Sequence, residues 1–279
     1  MSLPKFSAEW LALREPVDHR SRADELVPIL CEEWQRREWE RIVDLGCGTG
    51  SNLRYLAPKL PGFQHWILID HDTRLLDHVS VPNQEIRVTK VKGLLAQEGL
   101  ACVSEADVVT CSALLDLVDE GWLKTLVSAC SARRCAAYFV LSYDGTMEWS
   151  HPDLGNTDAD PDDLMIREAI NAHQQRRTAT TKALGPTASL VTEGLFKEEG
   201  YRTWRRSSQW RLGVDDRQLV HQLIDGWELA ALELHVQFDR QERIRAWARR
   251  KHGLLQREFL VQIGHQDLLV MPEMGFRSL

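Results

Sequence analysis

Apolar residues along this chain gather in short unbroken runs, and between the runs they recur at every third or fourth position, so strands and helices should alternate. The runs Ile42-Val43-Asp44-Leu45, Trp66 to Asp70, Ile86 to Val91, Ala106 to Cys111 and Cys135 to Leu141 predict five strands. The order reads as strand and helix repeated five times, with helical spacing clearest from Ser51, from Thr73 to Val79 and from Trp122 to Cys130. Strands that read as continuous apolar runs, without a polar alternate face, need covering on both sides. The pattern therefore predicts an α/β fold, a doubly wound, mostly parallel, seven-stranded sheet with helices on both faces. Its last two strands are expected at Tyr201 to Leu212 and near Asp267 to Met271. Helices from Thr187 to Gly200, Asp216 to Leu234 and Asp239 to Lys251 complete it, the last two as an extra pair.

Two stretches fall outside the alternation. Residues 1–39 read as an N-terminal helical cap, with Trp10, Leu11 and Leu13 before Pro16 and Leu26, Ile29, Leu30 and Trp34 after it. If the helix continues past Pro16, Arg14, Asp18 and Arg22 share one face, either as a salt-bridge ladder or with Arg14 or Arg22 free to grip a carboxylate. Residues 146–186 open with a turn-rich acidic segment, His151 to Asp163, pass through a helix at Leu164 to Gln175 and continue irregularly. Emerging after the fifth strand, this insertion is expected to act as a lid over a substrate. The whole, 1–279, reads as a single domain: cap, a first half over 40–145, the insertion over 146–186 and a second half over 187–279.

Composition narrows the class. With 43% hydrophobic residues the chain can build a sizeable core. A net charge of −7 argues against a nucleic-acid partner, whose phosphates demand basic surface. The basic cluster Arg243, Arg245, Arg249, Arg250 and Lys251 fits the solvated face of a helix. No apolar run approaches membrane-spanning length and the N-terminus lacks an apolar signal core, so no membrane is expected and the cytoplasm is the default compartment. Six cysteines show no metal-type spacing, and no metal centre is expected.

The chemistry concentrates at Arg41 to Ser51, R-I-V-D-L-G-C-G-T-G-S, where a strand runs into a glycine turn that opens into a helix. Glycine lets a ligand approach the backbone, and the following helix offers free N–H groups. The spacing is G-x-G-x-G, with Ser51 where a dinucleotide fingerprint has its third glycine. The string V-D-L-G-C-G-T-G resembles motif I of class I S-adenosylmethionine (SAM) dependent methyltransferases, and the resemblance covers roughly residues 40–145.

What that resemblance implies is specific. The loop Asp44, Gly46, Cys47, Gly48, Thr49 and Gly50 would wrap the methionine part of SAM, with the Asp44 acid ordering the loop and helping to hold the amino end. Asp70, ending the second strand, would accept hydrogen bonds from the ribose hydroxyls, with His71 beside it. After the third strand the family often carries an acid for the adenine amino group; here Gly93 and Leu94 stand there, and their backbone groups are expected to take that role. The segment from Cys111 through Val118 would face the transferred methyl. Methyl transfer from a sulfonium is an in-line displacement in which alignment can dominate, and where a base helps, location nominates Asp116, Tyr143 and His173. Arg14 and Arg177 are candidates to bind a small-molecule acceptor. Two other readings stand beside this one: a catalytically silent SAM-binding or partner protein, and a nicotinamide-dependent oxidoreductase, which Ser51 and the lack of a second nucleotide-binding half disfavour. The sequence leaves oligomeric state open.

Overall fold

The computed structural model describes residues 6–81, 83, 85–150, 160–175, 182–235 and 237–273. Its strands are β1 (Arg41–Leu45), β2 (Gln64–Asp70), β3 (Ile86–Lys92), β4 (Val108–Ser112), β5 (Ala136–Ser150), β6 (Tyr201–Ser207), β7 (Trp210–Leu212) and β8 (Leu260–Pro272). They form one sheet in the order β3-β2-β1-β4-β5-β8-β6, with β7 also paired to β8. β1 to β5 run parallel, and β8 runs antiparallel to β5, β6 and β7. The fold is the mostly parallel α/β sheet read from the sequence, with eight strands in place of seven. The stretch 201–212 is divided between Ser207 and Trp210 into two strands that keep one register against β8, and at the break the Ser208 N–H still donates to the His265 carbonyl at 2.9 Å.

The helices are α1 (Ala8–Ser21), α2 (Leu26–Arg36), α3 (Ser51–Leu56), α4 (Thr73–Asp77), α5 (Leu100–Val103), α6 (Glu120–Arg133), α7 (Asp163–Gln174), α8 (Ala188–Glu198), α9 (Arg217–Leu234) and α10 (Phe238–Leu254). They cover the sheet on both faces, and the period-two geometry of a strand divides each run between them. Ile42, Trp66 and Leu68 point into one core with Leu30 and Trp34 of α2, while Val43, Leu45, Ile67 and Ile69 point into the other with Leu123 and Leu126 of α6.

β5 and β8 are longer than the sequence suggested. Asp144-Gly145 reads as a turn, yet β5 continues through it to Ser150 against β8, with register shifts between Phe139 and Ser142 and between Tyr143 and Met147. Both are bulges of the kind that re-aim side chains. Gly145 sits at φ +90°, and a Cβ there would lie 2.9 Å from Pro186. Leu141 sits at φ +56°, with its N–H held by the buried Asp267 carboxylate at 2.7 Å.

Of the acidic segment expected over 151–163, the structure describes residues 160–163, and these are anchored. Arg250 Nε binds Asp160 at 2.7 Å, Arg243 binds Asp162, and Lys251 Nζ lies 2.7 Å from Asp163, so the basic face of α10 is a clamp on the start of α7 and not a bare solvated face. Residues 151–159 and 176–181, Arg177 among them, lie outside the described residues.

α1 runs unbroken through Pro16, as the shared face of Arg14 and Asp18 requires. It is fastened to the glycine loop and α3: Arg54 Nε donates to Glu15 at 2.6 Å, and His19 Nε2 lies 3.0 Å from Ser51 Oγ. The chain just after α1 is tied to the sheet by the Ala23 N–H, which donates to Asp267 at 3.0 Å.

Candidate functional site

A cleft opens at the carboxyl ends of β1, β2 and β4, roofed by α1. Its floor is the glycine loop. Gly48 is held at φ +54°, and a Cβ would lie 3.0 Å from Leu11 of the roof, so the loop is built without side-chain bulk between backbone and cap. Arg54 closes the loop from below, donating from Nη1 to the Thr49 carbonyl at 2.5 Å.

Asp44 faces this cleft while only 1% exposed. Its Oδ1 accepts from Asn52 Nδ2 at 3.0 Å, and Oδ2 has no hydrogen-bond partner in the protein. Burial pushes its carboxyl up to about 7, against the pull of the Asn52 amide and the Arg22 charge. A buried acceptor left open beside a glycine cradle suits a cationic donor such as an ammonium.

Asp70, at the end of β2, accepts from the Gly48 N–H and the Asp72 N–H, each at 2.9 Å. Each carboxylate oxygen keeps a second lone pair for a ligand hydroxyl, and both Asp70 and His71 line the cleft. Asp70 thus joins the loop to the next strand as well as facing the ligand space.

Of the residues expected to hold a cofactor, the cleft gathers Asp44, Gly46, Cys47, Gly48, Thr49, Asp70 and His71. Gly50, Gly93, Leu94 and Cys111 are not among its walls. Gly50 instead caps α3 in the left-handed conformation. Cys111 points into the opposite core with Val43 and Leu45, and the wall is made by Ser112 and Ala113, the next residues along. The Leu94 N–H is already taken, donating to Glu98 at 2.8 Å.

A second pocket adjoins the first, sharing Phe6, Arg14, Ala113 and Leu117 as a common wall. It is framed by the β5 bulges, β7, β8, α7 and α9. Asp116 and Tyr143, both nominated from sequence, meet here. Asp116 is buried with Oδ1 unpartnered, and burial raises its carboxyl to about 6. Tyr143 donates to Asn171 Oδ1 at 2.9 Å, and burial pushes its hydroxyl up. Arg14 lines both pockets, but its guanidinium is engaged by Asp18 in two hydrogen bonds of 2.9 and 3.1 Å and rests over the Trp210 ring at 5.0 Å. Arg22 lies apart from both, buried over the Tyr55 ring at 4.7 Å.

His173 does not join them. Its Nε2 lies 2.8 Å from Glu233 of α9, and it lines neither pocket. A residue the sequence reading missed takes a place there: His265 of β8, 6% exposed. Its Nδ1 lies 3.1 Å from the Ile263 carbonyl, which can only accept, so Nδ1 carries the proton and Nε2 the lone pair. Burial, assisted by the Arg14 charge, lowers its pKa to about 4 and keeps it neutral. Nothing near His265 in sequence marks it, since only the antiparallel return of β8 brings it beside β5.

A glycine cradle after β1, an acid ending β2, and five parallel strands extended by antiparallel β8 make a Rossmann-like α/β fold. Residues 42–133, the segment from β1 through α6, match the family described as a methyltransferase domain. No curated protein matches the sequence. Among solved structures, the chain is similar to a cyclopropane-fatty-acyl-phospholipid synthase-like protein from Lactobacillus casei, at 15% identity and TM-score 0.49 over 95% of this chain and 96% of that one. It is similar to the cyclopropane synthase MmaA2 of Mycobacterium tuberculosis at 10% identity and TM-score 0.43, over 95% and 94% of the two chains. It is also similar to the Haemonchus contortus phosphoethanolamine N-methyltransferase 2, solved with S-adenosyl-L-methionine, at 10% identity and TM-score 0.38 over 84% of this chain. The chain spans about half the length of that last protein, 49%. No helix among the described residues is long and apolar enough to cross a membrane.

Proposed function

We propose that this protein is a SAM-dependent methyltransferase that binds SAM in the cleft over the glycine loop and a small-molecule acceptor in the adjoining pocket. The observation that carries the reading is the buried Asp44 Oδ2, an open acceptor facing the cradle. It suits the α-ammonium of SAM, as the two free lone pairs of Asp70 suit the ribose hydroxyls. When bound, SAM supplies an electrophilic methyl group on a sulfonium. The chain's own part is to hold that group at the shared wall of Ala113 and Leu117, exclude water beneath α1, and align the acceptor from the second pocket.

Titration calorimetry with SAM and, separately, with NADH tests the cofactor, and transfer of a labelled methyl group tests the reaction. SAM binding in the micromolar range with no NADH binding is expected. NADH binding in place of SAM would overturn the reading, and SAM binding without transfer to any acceptor would leave a binding protein.

A further inference from the structure

We infer that the acceptor is a hydrophobic amine and that the reaction is N-methylation. This rests on the reading of the first cleft as the SAM site, but its argument comes from the second pocket alone.

The polar atoms left open there are mostly acceptors. Asp116 Oδ1 and Gln174 Oε1 are buried without a partner in the protein. His265 adds the Nε2 lone pair, fixed by the Nδ1 contact to the Ile263 carbonyl. Among the fully buried polar atoms of the pocket without a partner, one donor stands against these, the Trp210 indole N–H. Buried acceptors call for ligand donors, because each one left unmet costs most of its desolvation.

Charge selects the kind of donor. Arg14 is the cation on the wall, and Asp18 already neutralises it bidentately. His265 is neutral, and Tyr143 is spent on Asn171. Above about pH 6 the Asp116 carboxylate, near the Arg14 charge but bonded to no cation among the described residues, is therefore the open charge on the pocket, and it is negative. A carboxylate or phosphate ligand would find no free cation. An ammonium would find Asp116 and the rings of Trp10, Trp227 and Tyr143, whose faces attract cations. The rest of the wall, including Leu141, Met147 and Leu223, is apolar and suits a hydrocarbon or aryl body.

The step balances within the two substrates. The bound ammonium gives a proton to the Asp116 carboxylate, freeing the nitrogen lone pair. That nitrogen forms a bond to the methyl carbon as the carbon–sulfur bond breaks, its electron pair passing to sulfur. The product is the N-methylammonium with the neutral thioether, and the proton on Asp116 leaves to solvent.

The test uses the tryptophans of the pocket as reporters, with no turnover required. The full chain is titrated with primary arylalkylamines from benzylamine to 4-phenylbutylamine, and with the matched alcohols and carboxylates, following intrinsic fluorescence. Saturable binding of an amine, about tenfold or more tighter than its alcohol and with no binding of the carboxylate, is expected. Asp116→Asn should lose about tenfold or more in amine affinity and the inflection of that affinity near pH 6, while SAM affinity, measured by calorimetry, stays within about twofold. Equal binding of alcohol and amine, preference for the carboxylate, no saturable amine binding by the folded chain, or an Asp116→Asn variant that binds the amine as wild type would each overturn the inference. Amine binding that survives where SAM fails to bind would instead refute the cofactor assignment and leave the amine pocket standing.

Discussion

The sharpest consequence of the SAM assignment is that cofactor affinity should depend on pH through Asp44. In the free protein burial holds this carboxyl at about 7, far above the ordinary 3.8. An ammonium on Oδ2 favours the ionised form, so the complex has the lower pKa and binding below about pH 7 must expel a proton. Affinity should then fall about tenfold for each pH unit between about 7 and about 5, a hundredfold in all or about 2.7 kcal/mol. The same raised pKa has the opposite sign for the free fold. Its stabilising share is complete below 3.8 and is lost as pH rises through about 7, because above that the desolvation of the buried charge outweighs what Asn52 and Arg22 offset. Asp44→Asn keeps an oxygen for the Asn52 amide but sets an N–H where the ligand's ammonium belongs. It should raise the melting temperature of the free protein at about pH 8, weaken SAM binding by about ten- to a hundredfold, and flatten its pH dependence. Calorimetry in buffers of different ionisation enthalpy counts the expelled proton directly. Wild-type SAM affinity that is level from about pH 5.5 to about 7.5, or an asparagine variant that binds as tightly as wild type, refutes the argument.

Three further outcomes follow from the same geometry. Gly48→Ala adds a Cβ at 3.0 Å from Leu11 and forces a left-handed residue, so it should cost about 1–2 kcal/mol in unfolding and weaken SAM binding, both read by calorimetry; unchanged values for both would show that the roof yields freely. Asp70→Ala removes the acceptor of the Gly48 N–H together with the ribose contact and should cost SAM about ten- to a hundredfold in affinity, with a Kd equal to wild type counting against the site. Lys251→Met leaves the Asp163 carboxylate at the start of α7 with the Trp247 indole N–H and no cation, and should destabilise the fold by about 1–3 kcal/mol in urea unfolding; a loss below about 0.5 kcal/mol would mean that the clamp on α10 adds little.

The parallel half of the fold was legible because its signals are local. A run such as Ile42 to Leu45 carries its burial in its own residues, and glycine is the residue that turns left-handed at least cost, so the place of Asp44, Gly46 and Gly48 at the strand end, beside the cleft, could be read from the sequence. Cys111 shows the limit of that reasoning. One step along a strand reverses the face, and the cleft wall is Ser112 while Cys111 is core. The other half depends on pairings between distant segments. Asp160, Asp162 and Asp163 look like a solvated acidic turn until α10 places Arg250, Arg243 and Lys251 against them. His173 looked available for catalysis because Glu233, its partner, is remote in sequence. Asp144-Gly145 has the composition of a turn, and only the long β8 partner converts it into a bulge inside a strand.

This division follows from what each half has to do. A cofactor cradle can be written in one strand, one loop and the end of the next strand, since the methionine and ribose ends of the ligand lie along one edge of a parallel sheet. A pocket for a second ligand must be closed on several sides, and the one beside the cleft draws on seven separate parts of the chain, α7 with Ile170 and Gln174 among them. α1 gives Phe6's neighbour Trp10 and Arg14, the segment after β4 gives Asp116, and β5, β7, β8 and α9 give Tyr143, Trp210, His265 and Trp227. The two β5 bulges are the local device that makes this possible. Without the register shift between Phe139 and Ser142, regular alternation would put Leu141 and Tyr143 on the face of Ala137 and Phe139, in the opposite core; with it, both join the face of Tyr138 and Val140 and reach the pocket. The Asp267 carboxylate ties that bend to the cap, since it binds the N–H of Leu141 within the first bulge and that of Ala23 beyond α1. The same buried acid thereby fixes α1 over the cradle and Leu141 in the acceptor wall, so the distance between the two ligand spaces is set by the sheet and not by surface loops.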